Sequence, residues 1–280
     1  MRGPRQKRTV PSSGRHIRLT ERDREILESV AKMRFTTTRQ LARLHFEGSR
    51  ESANKRLRKL LDGGFLRVWL RDLAQDNIYG LTPPGVRLLN EDSGNDPGEG
   101  WSAPRGLVGN IDHLLAINQV RVSLAVSLPE AVGEIAWWRS DWELRAEARA
   151  KLIPDALFGV AWQEHGEQTF LLEMDYESRS SRGLLKKILG YSTLAHRRKS
   201  VYGALDFLIL VVGRDPRLLE RYRQTLAGAG IAPESVWVTA LAELEGGGAL
   251  AEVWRSASGP ESHSLRDLAT LPYGKEGQAA

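Results

Sequence analysis

The chain has 280 residues, 41% of them hydrophobic, enough for two domains or one large one with real cores. Cysteine is absent, which excludes a disulfide framework and any Cys-based zinc site, and the six His stand without ligand spacing. The net charge of +5 is unevenly placed: residues 1–90 carry 20 Lys/Arg against 9 Asp/Glu, and residues 91–280 carry 20 against 26. A basic first third on an acidic remainder points to nucleic-acid binding near the N-terminus; basicity for solubility alone is the weaker alternative. No apolar run approaches the roughly 18 residues of a transmembrane helix, and MRGPRQKRTVPSSGR lacks the apolar core of a signal peptide. The cytoplasm is the expected compartment, without a membrane partner.

Residues 1–19 hold six Lys/Arg, two Pro and no acid, the composition of a disordered basic arm. Thr20 and Asp23 mark a helix start, and Ile26, Leu27, Val30 and Ala31 form its apolar stripe. A second helix is capped by Thr37 or Thr38, with Leu41, Ala42 and Leu44 inward. A third begins at Ser49 and ends at Gly63-Gly64. Ala53, Leu57, Leu60 and Leu61 face its core, leaving Arg50, Asn54, Lys55, Arg58 and Lys59 outside. Two short β runs, 65–70 and 77–81, follow around the connection 71–76. Three helices and then a hairpin is the winged helix-turn-helix order, with the third helix as groove reader. Arg and Asn suit base edges and Lys suits phosphates, so these residues, with Arg67 and Arg71 on the wing, are the candidate contacts to double-stranded DNA. A winged fold used for protein contacts is the competing reading. One more helix starts at Thr82-Pro83-Pro84, and the Gly/Ser/Pro/acid-rich stretch 92–104 reads as a linker. The expected division is therefore an arm 1–19, a DNA-binding domain 20–91, a linker 92–104, an α/β domain 105–255 and a flexible tail 256–280.

The second domain opens with an amphipathic helix over 112–128, striped by Leu115, Val122 and Val126. A strand over 134–139 continues through 141–145 toward Glu143. The apolar runs 156–162 and 169–174 flank a polar, Gly-bearing break at 163–167 and read as a β-hairpin. The spacing predicts a helix over 183–195, a buried strand over 205–212, a helix over 216–227 and strands at 236–240 and 250–254. The fold class is α/β, α+β overall: the winged domain, then a mixed-sheet α/β domain. No Gly-rich phosphate loop, internal repeat or Ser/His/Asp pattern is found.

Strand alternation puts Glu173 and Asp175 on one face, and hairpin pairing brings Asp155 to the same end. Carboxylates so grouped repel unless a cation joins them, and hard oxygen ligands suit Mg²⁺ or Mn²⁺. A solvated sheet end carrying unrelated acids is the competing reading. On the following helix Leu184, Ile188, Tyr191 and Ala195 share the buried stripe. Lys187 flanks that stripe, while Lys186 points nearly opposite.

Pro154-Asp155, Glu173-x-Asp175 and Lys186-Lys187 resemble the core of the PD-(D/E)XK nuclease superfamily. The resemblance implies metal binding by Asp155 and Glu173. The superfamily's Lys position is filled by Asp175, and Lys187 on the helix is the candidate replacement, as in some members. The implied catalytic set is Asp155, Glu173, Asp175 and Lys187.

Across residues 19–255 the chain also resembles the replication-relaxation proteins of plasmids and other mobile elements. The residues that carry this are Leu19 to Asp23, Leu57 to Leu66 with the wing, Tyr79-Gly80-Leu81-Thr82, His113, Pro154-Asp155, Leu172 to Asp175 and Lys187 to Tyr191. It implies a DNA-binding role in plasmid replication, relaxation or mobilisation, with relaxase or replication proteins as partners. Two other expectations stand beside it. One is a Mg²⁺-dependent DNA endonuclease or nickase. The other is a winged-helix transcriptional regulator whose C-terminal domain is not catalytic.

Overall fold

The computed structural model describes residues 5–6, 17–72, 75–93, 100–147, 152–176, 182–197, 199–229, 233–248, 250–256, 259 and 261–270. The chain divides into two compact units, Met1–Asn118 and Gln119–Ala280. It is mixed α/β, as its sequence predicts, with one four-stranded and one seven-stranded sheet. Among the described residues no helix is long and apolar enough to cross a membrane.

In the first unit β1 (Arg5–Gln6) precedes α1 (Glu21–Met33), β2 (Thr36–Thr37), α2 (Thr38–His45) and α3 (Arg50–Asp62). Then come β3 (Leu66–Leu70), β4 (Ile78–Leu81), α4 (Pro83–Ser93) and α5 (Ile111–Ser127). The sheet order is β1-β3-β4-β2, antiparallel throughout. Ile26, Leu27, Val30, Leu41, Ala53, Leu57 and Leu60 close over it as one core. The first three helices start where the sequence supplies a cap. Thr20 and Asp23 form a capping box on α1, Thr37 and Gln40 form one on α2, and Ser49 caps α3.

Three expectations for this part are corrected. Arg5 and Gln6 of the basic arm pair with Leu70 and Trp69 of β3; most of the arm lies outside the described residues. The expected linker does not divide the units. Residues 94–99 lie outside the described residues, but the Trp101 backbone exchanges hydrogen bonds with the Asn90 side chain and Pro104 is buried. The division falls instead inside α5, because the first turns of that helix are tied to the first unit. Asn118 donates to the carbonyls of Met33 and Phe35 at 3.0 and 2.8 Å, and Gln40 donates to the Leu115 carbonyl at 2.8 Å. These bonds hold the turn at Arg34, whose φ is +64°. Nor is α5 simply striped: Leu114 to Val120 are all buried, whereas Val126 is exposed.

The second unit continues with β5 (Gly133–Ser140), α6 (Asp141–Glu147), β6 (Ala156–Trp162), β7 (Gly166–Asp175), α7 (Arg182–His196) and β8 (Leu208–Gly213). It ends with α8 (Leu219–Ala227), β9 (Val236–Ala240), α9 (Leu241–Gly247), β10 (Trp254–Ser256), β11 (Ser262–His263) and α10 (Leu265–Thr270). The sheet order is β11-β10-β9-β8-β7-β6-β5. β7, β8 and β9 run parallel; every other neighbour is antiparallel. Leu157, Leu171, Ile209, Val211 and Val238 share one core with Ile188 and Tyr191 of α7 and Tyr222 of α8. On the opposite face Trp138, Phe158 and Phe170 stack in succession.

The hairpin forms with Trp162 opposite Gly166, whose φ of +75° suits glycine at the end of a three-residue turn. The strand expected over 141–145 is α6 instead. Glu143 accepts from the backbone N–H of Ser140, a helix-start contact that competes with strand continuation. The expected flexible tail from 256 carries β11 and α10, because Leu265 and Leu268 are buried; residues 271–280 lie outside the described residues.

Candidate functional site

The hairpin register explains how Asp155 reaches Glu173. Asp155 directly precedes β6; its N–H donates to the Leu172 carbonyl at 3.1 Å, and its Oδ2 accepts from the Met174 N–H at 2.8 Å. Glu173 lies between those two partners, with its side chain toward α7. Lys187 and Tyr191 stand one helical turn apart on α7, so both reach the same carboxylate. Lys187 Nζ is 2.7 Å from Glu173 Oε2, and the Tyr191 hydroxyl donates to Oε1 at 2.8 Å.

The electrostatics follow from burial. The Glu173 side chain is 3% exposed, against 35% for Lys187. Burial, then the nearby Asp155 charge, push the Glu173 carboxyl up to about 7, although Lys187 and Tyr191 pull it down. Burial and Glu173 likewise raise the Tyr191 phenol, which keeps it a donor.

Asp175 does not join this group. It shares the helix-facing side of β7, but its carboxylate accepts from the Tyr222 hydroxyl of α8. Opposite Asp175 in the parallel register is Gly213, where a Cβ would stand 3.0 Å from the Tyr222 ring. Glycine there lets the ring lie across the strand end. The convergence of three carboxylates is therefore corrected: among the described residues, no group of three or more His, Cys, Asp or Glu stands where it could hold a metal ion. What remains is the pair Asp155 and Glu173, coupled through charge. Mg²⁺ and Mn²⁺ take one or two carboxylates and complete their shell with water and phosphate oxygens, and Asp155 and Glu173 are the two carboxylates that could contribute here. A carboxylate oxygen that accepts one hydrogen bond keeps a second lone pair for a ligand.

In the first unit, Arg50, Asn54, Lys55, Arg58 and Lys59 are all exposed on α3. Arg50 pairs with Asp76 from the connection after β3, and Lys55 pairs with Glu51 at 2.7 Å along the helix. Arg67 is half-buried over the Trp69 ring. Arg71, which follows β3, is engaged within the unit. Its side chain is 14% exposed and bonds Asp112 at 2.6 Å. Leu73 and Ala74, in the sequence between β3 and β4, lie outside the described residues.

Two tyrosines were missed by sequence reasoning. Tyr191 was counted in the apolar stripe of α7, yet a buried tyrosine hydroxyl needs a partner, and Lys187 four residues earlier marked the direction in which to look. Tyr222 carried no such signal, because Asp175 is 47 residues away.

Neither the curated proteins nor the solved structures yield a match to this chain. A family model described as replication-relaxation matches residues 27–206. That span starts inside α1, ends ahead of β8 and contains Asp155, Glu173, Lys187 and Tyr191, and the chain belongs to the replication-relaxation family.

Proposed function

We propose that this protein binds double-stranded DNA in plasmid replication and relaxation, with its first unit as a winged helix-turn-helix and its second as a PD-(D/E)XK-like domain. The observation that carries this reading is α3. It follows α1 and α2 over an antiparallel sheet, buries Ala53, Leu57 and Leu60, and leaves Asn54, Arg58 and Lys59 exposed. A helix so placed can lie in a major groove, with Arg and Asn toward base edges and Lys toward phosphates. Family membership supplies the biological setting. Arg58→Ala in the full chain is expected to weaken duplex binding. A base-edge contact would cost about 1–3 kcal/mol and relax specificity at one position; a phosphate contact would weaken all sequences alike and reduce the salt slope by about one. Unchanged affinity and salt slope, measured by fluorescence anisotropy from 50 to roughly 300 mM salt, would remove α3 as the reader.

A second reading, metal-dependent DNA cleavage, is favoured by Lys187 on Glu173 beside Asp155. Asp155 and Glu173 would hold Mg²⁺ or Mn²⁺, which supplies Lewis-acid polarisation of a phosphodiester and a more acidic water. The chain's own part is to keep that carboxylate buried, to orient it through Tyr191, and to bring an ammonium to the half-exposed rim. Tyr222 takes Asp175 aside, so Asp175 adds less negative charge at the rim than its place in the sequence implies. Mn²⁺ is expected to raise the melting temperature of the wild type and not of Asp155→Asn, which loses a ligand charge at nearly constant shape. Equal shifts in both proteins would place any ion elsewhere. Incubation with supercoiled plasmid, with and without Mg²⁺ or Mn²⁺, then separates cleavage from binding alone.

A further inference from the structure

The three parallel strands end side by side at Asp175, Gly213 and Ala240. In open α/β sheets, ligands gather outside the carboxyl ends of parallel strands. Here that edge lies beside the pair Asp155 and Glu173 and is lined by acids, so any anionic ligand arriving there meets repulsion. Arg214 stands where it could offset this. It directly follows β8, and its N–H donates to the Asp175 carbonyl at 3.1 Å. Its guanidinium carbon lies 4.7 Å from the centre of the Tyr176 ring, the residue after β7. Arg214 is exposed, and among the described residues no acid is paired with it.

The acids nearest in sequence and register are engaged elsewhere. Asp175 accepts from Tyr222, and Asp215 accepts from both the backbone N–H and the guanidinium of Arg217. A guanidinium resting on an aromatic face keeps its in-plane N–H groups available, and their fork matches a phosphate better than an ammonium does. The ring also restricts a long side chain, so less freedom is lost when an anion binds.

We propose that Arg214, held on Tyr176, is a phosphate anchor of the second unit, taking a backbone phosphodiester of DNA at the edge that carries Asp155 and Glu173. This rests on the DNA-binding reading above and adds a contact outside the first unit. It also lies outside the matched span 27–206.

The test uses the full chain and a labelled duplex, with binding measured by anisotropy over a range of salt. Wild type, Arg214→Ala, Arg214→Lys and Tyr176→Phe are compared, each also in an Arg58→Ala background so that the first unit does not mask the second. Arg214→Ala is expected to weaken binding severalfold on every sequence and to lower the slope of log K against log salt by about one. Arg214→Lys should keep the slope while losing affinity, because charge is retained without the planar fork. Tyr176→Phe, which keeps the ring, should bind like wild type. Wild-type affinity and slope in Arg214→Ala would overturn the anchor and leave the DNA-binding reading standing. Failure of the wild type to bind any duplex at low salt would overturn both.

Discussion

Arg56→Ala is expected to destabilise the first unit by about 3–5 kcal/mol, the range for stranding one member of a buried ion pair. Asp23 is fully buried, in the first turn of α1. Its carboxylate receives the Arg56 guanidinium from α3 and closes the capping box with Thr20, accepting from the Thr20 N–H at 2.7 Å and hydroxyl at 3.0 Å. Burial by itself would raise this carboxyl; the hydrogen bonds from Arg56 and Thr20 outweigh it and hold Asp23 below the ordinary carboxylate range. Such a group contributes stability that is present above its unfolded pKa and lost as pH falls through the folded one. Without Arg56 only burial and the cap remain, and Asp23 shifts upward. The gap between wild type and Arg56→Ala should thus be widest near neutrality and narrow as pH falls through the ordinary carboxylate value of 3.8. Lys55→Ala is the control. Its pair with Glu51 is 74% and 80% exposed, and such pairs contribute about 0.3–0.5 kcal/mol. Hydrogen exchange at α1 and α3 amides reports this unit separately from the other. A loss under about 1 kcal/mol in Arg56→Ala would show that the α1–α3 tie is incidental.

Arg56 illustrates what the sequence could and could not disclose. The apolar stripes of α1, α2 and α3 were legible because burial repeats with the helical period. Arg56 breaks no stripe and looks like one more basic residue on a basic helix; its partner is 33 residues away. The pairing of Arg71 was hidden for the same reason, since its partner Asp112 lies 41 residues on. In the second unit, the hairpin was legible from two apolar runs around a glycine, and the flank position of Lys187 followed from 100° per residue. Alternation also put Asp175 on the face of Glu173. It could not reveal that α8 approaches that face and delivers Tyr222. Strand period fixes the side of a sheet, not the helix that covers it. The C-terminal elements were hidden by composition: β11 and α10 are short, polar segments in which the buried hydrophobics are Leu265 and Leu268.

The second large effect concerns Glu173. With its carboxyl raised from 4.5 to about 7, the folded state binds more protons than the unfolded chain between those two values. Stability is therefore fully present below about 4.5 and lost as pH rises through about 7. The full loss is on the order of 3 kcal/mol in metal-free protein. Glu173→Gln removes the titration while keeping the shape and an acceptor for Tyr191. Its stability should stay flat from pH 5 to 8 where the wild type declines, so the variant becomes the more stable of the two near pH 8. Lys187→Met should act oppositely, because the ammonium pulls Glu173 down; its loss moves the decline to higher pH and enlarges it. If the site takes a dication, Mn²⁺ would flatten the wild-type decline and leave Glu173→Gln unaffected, since the ion relieves the repulsion between Asp155 and Glu173. Urea denaturation at several pH values in chelator, followed by hydrogen exchange of β7 and α7, measures each of these slopes. Parallel wild-type and Glu173→Gln profiles across that range would mean that Glu173 ionises like a surface carboxylate, and the pair with Asp155 would lose its claim to a cation.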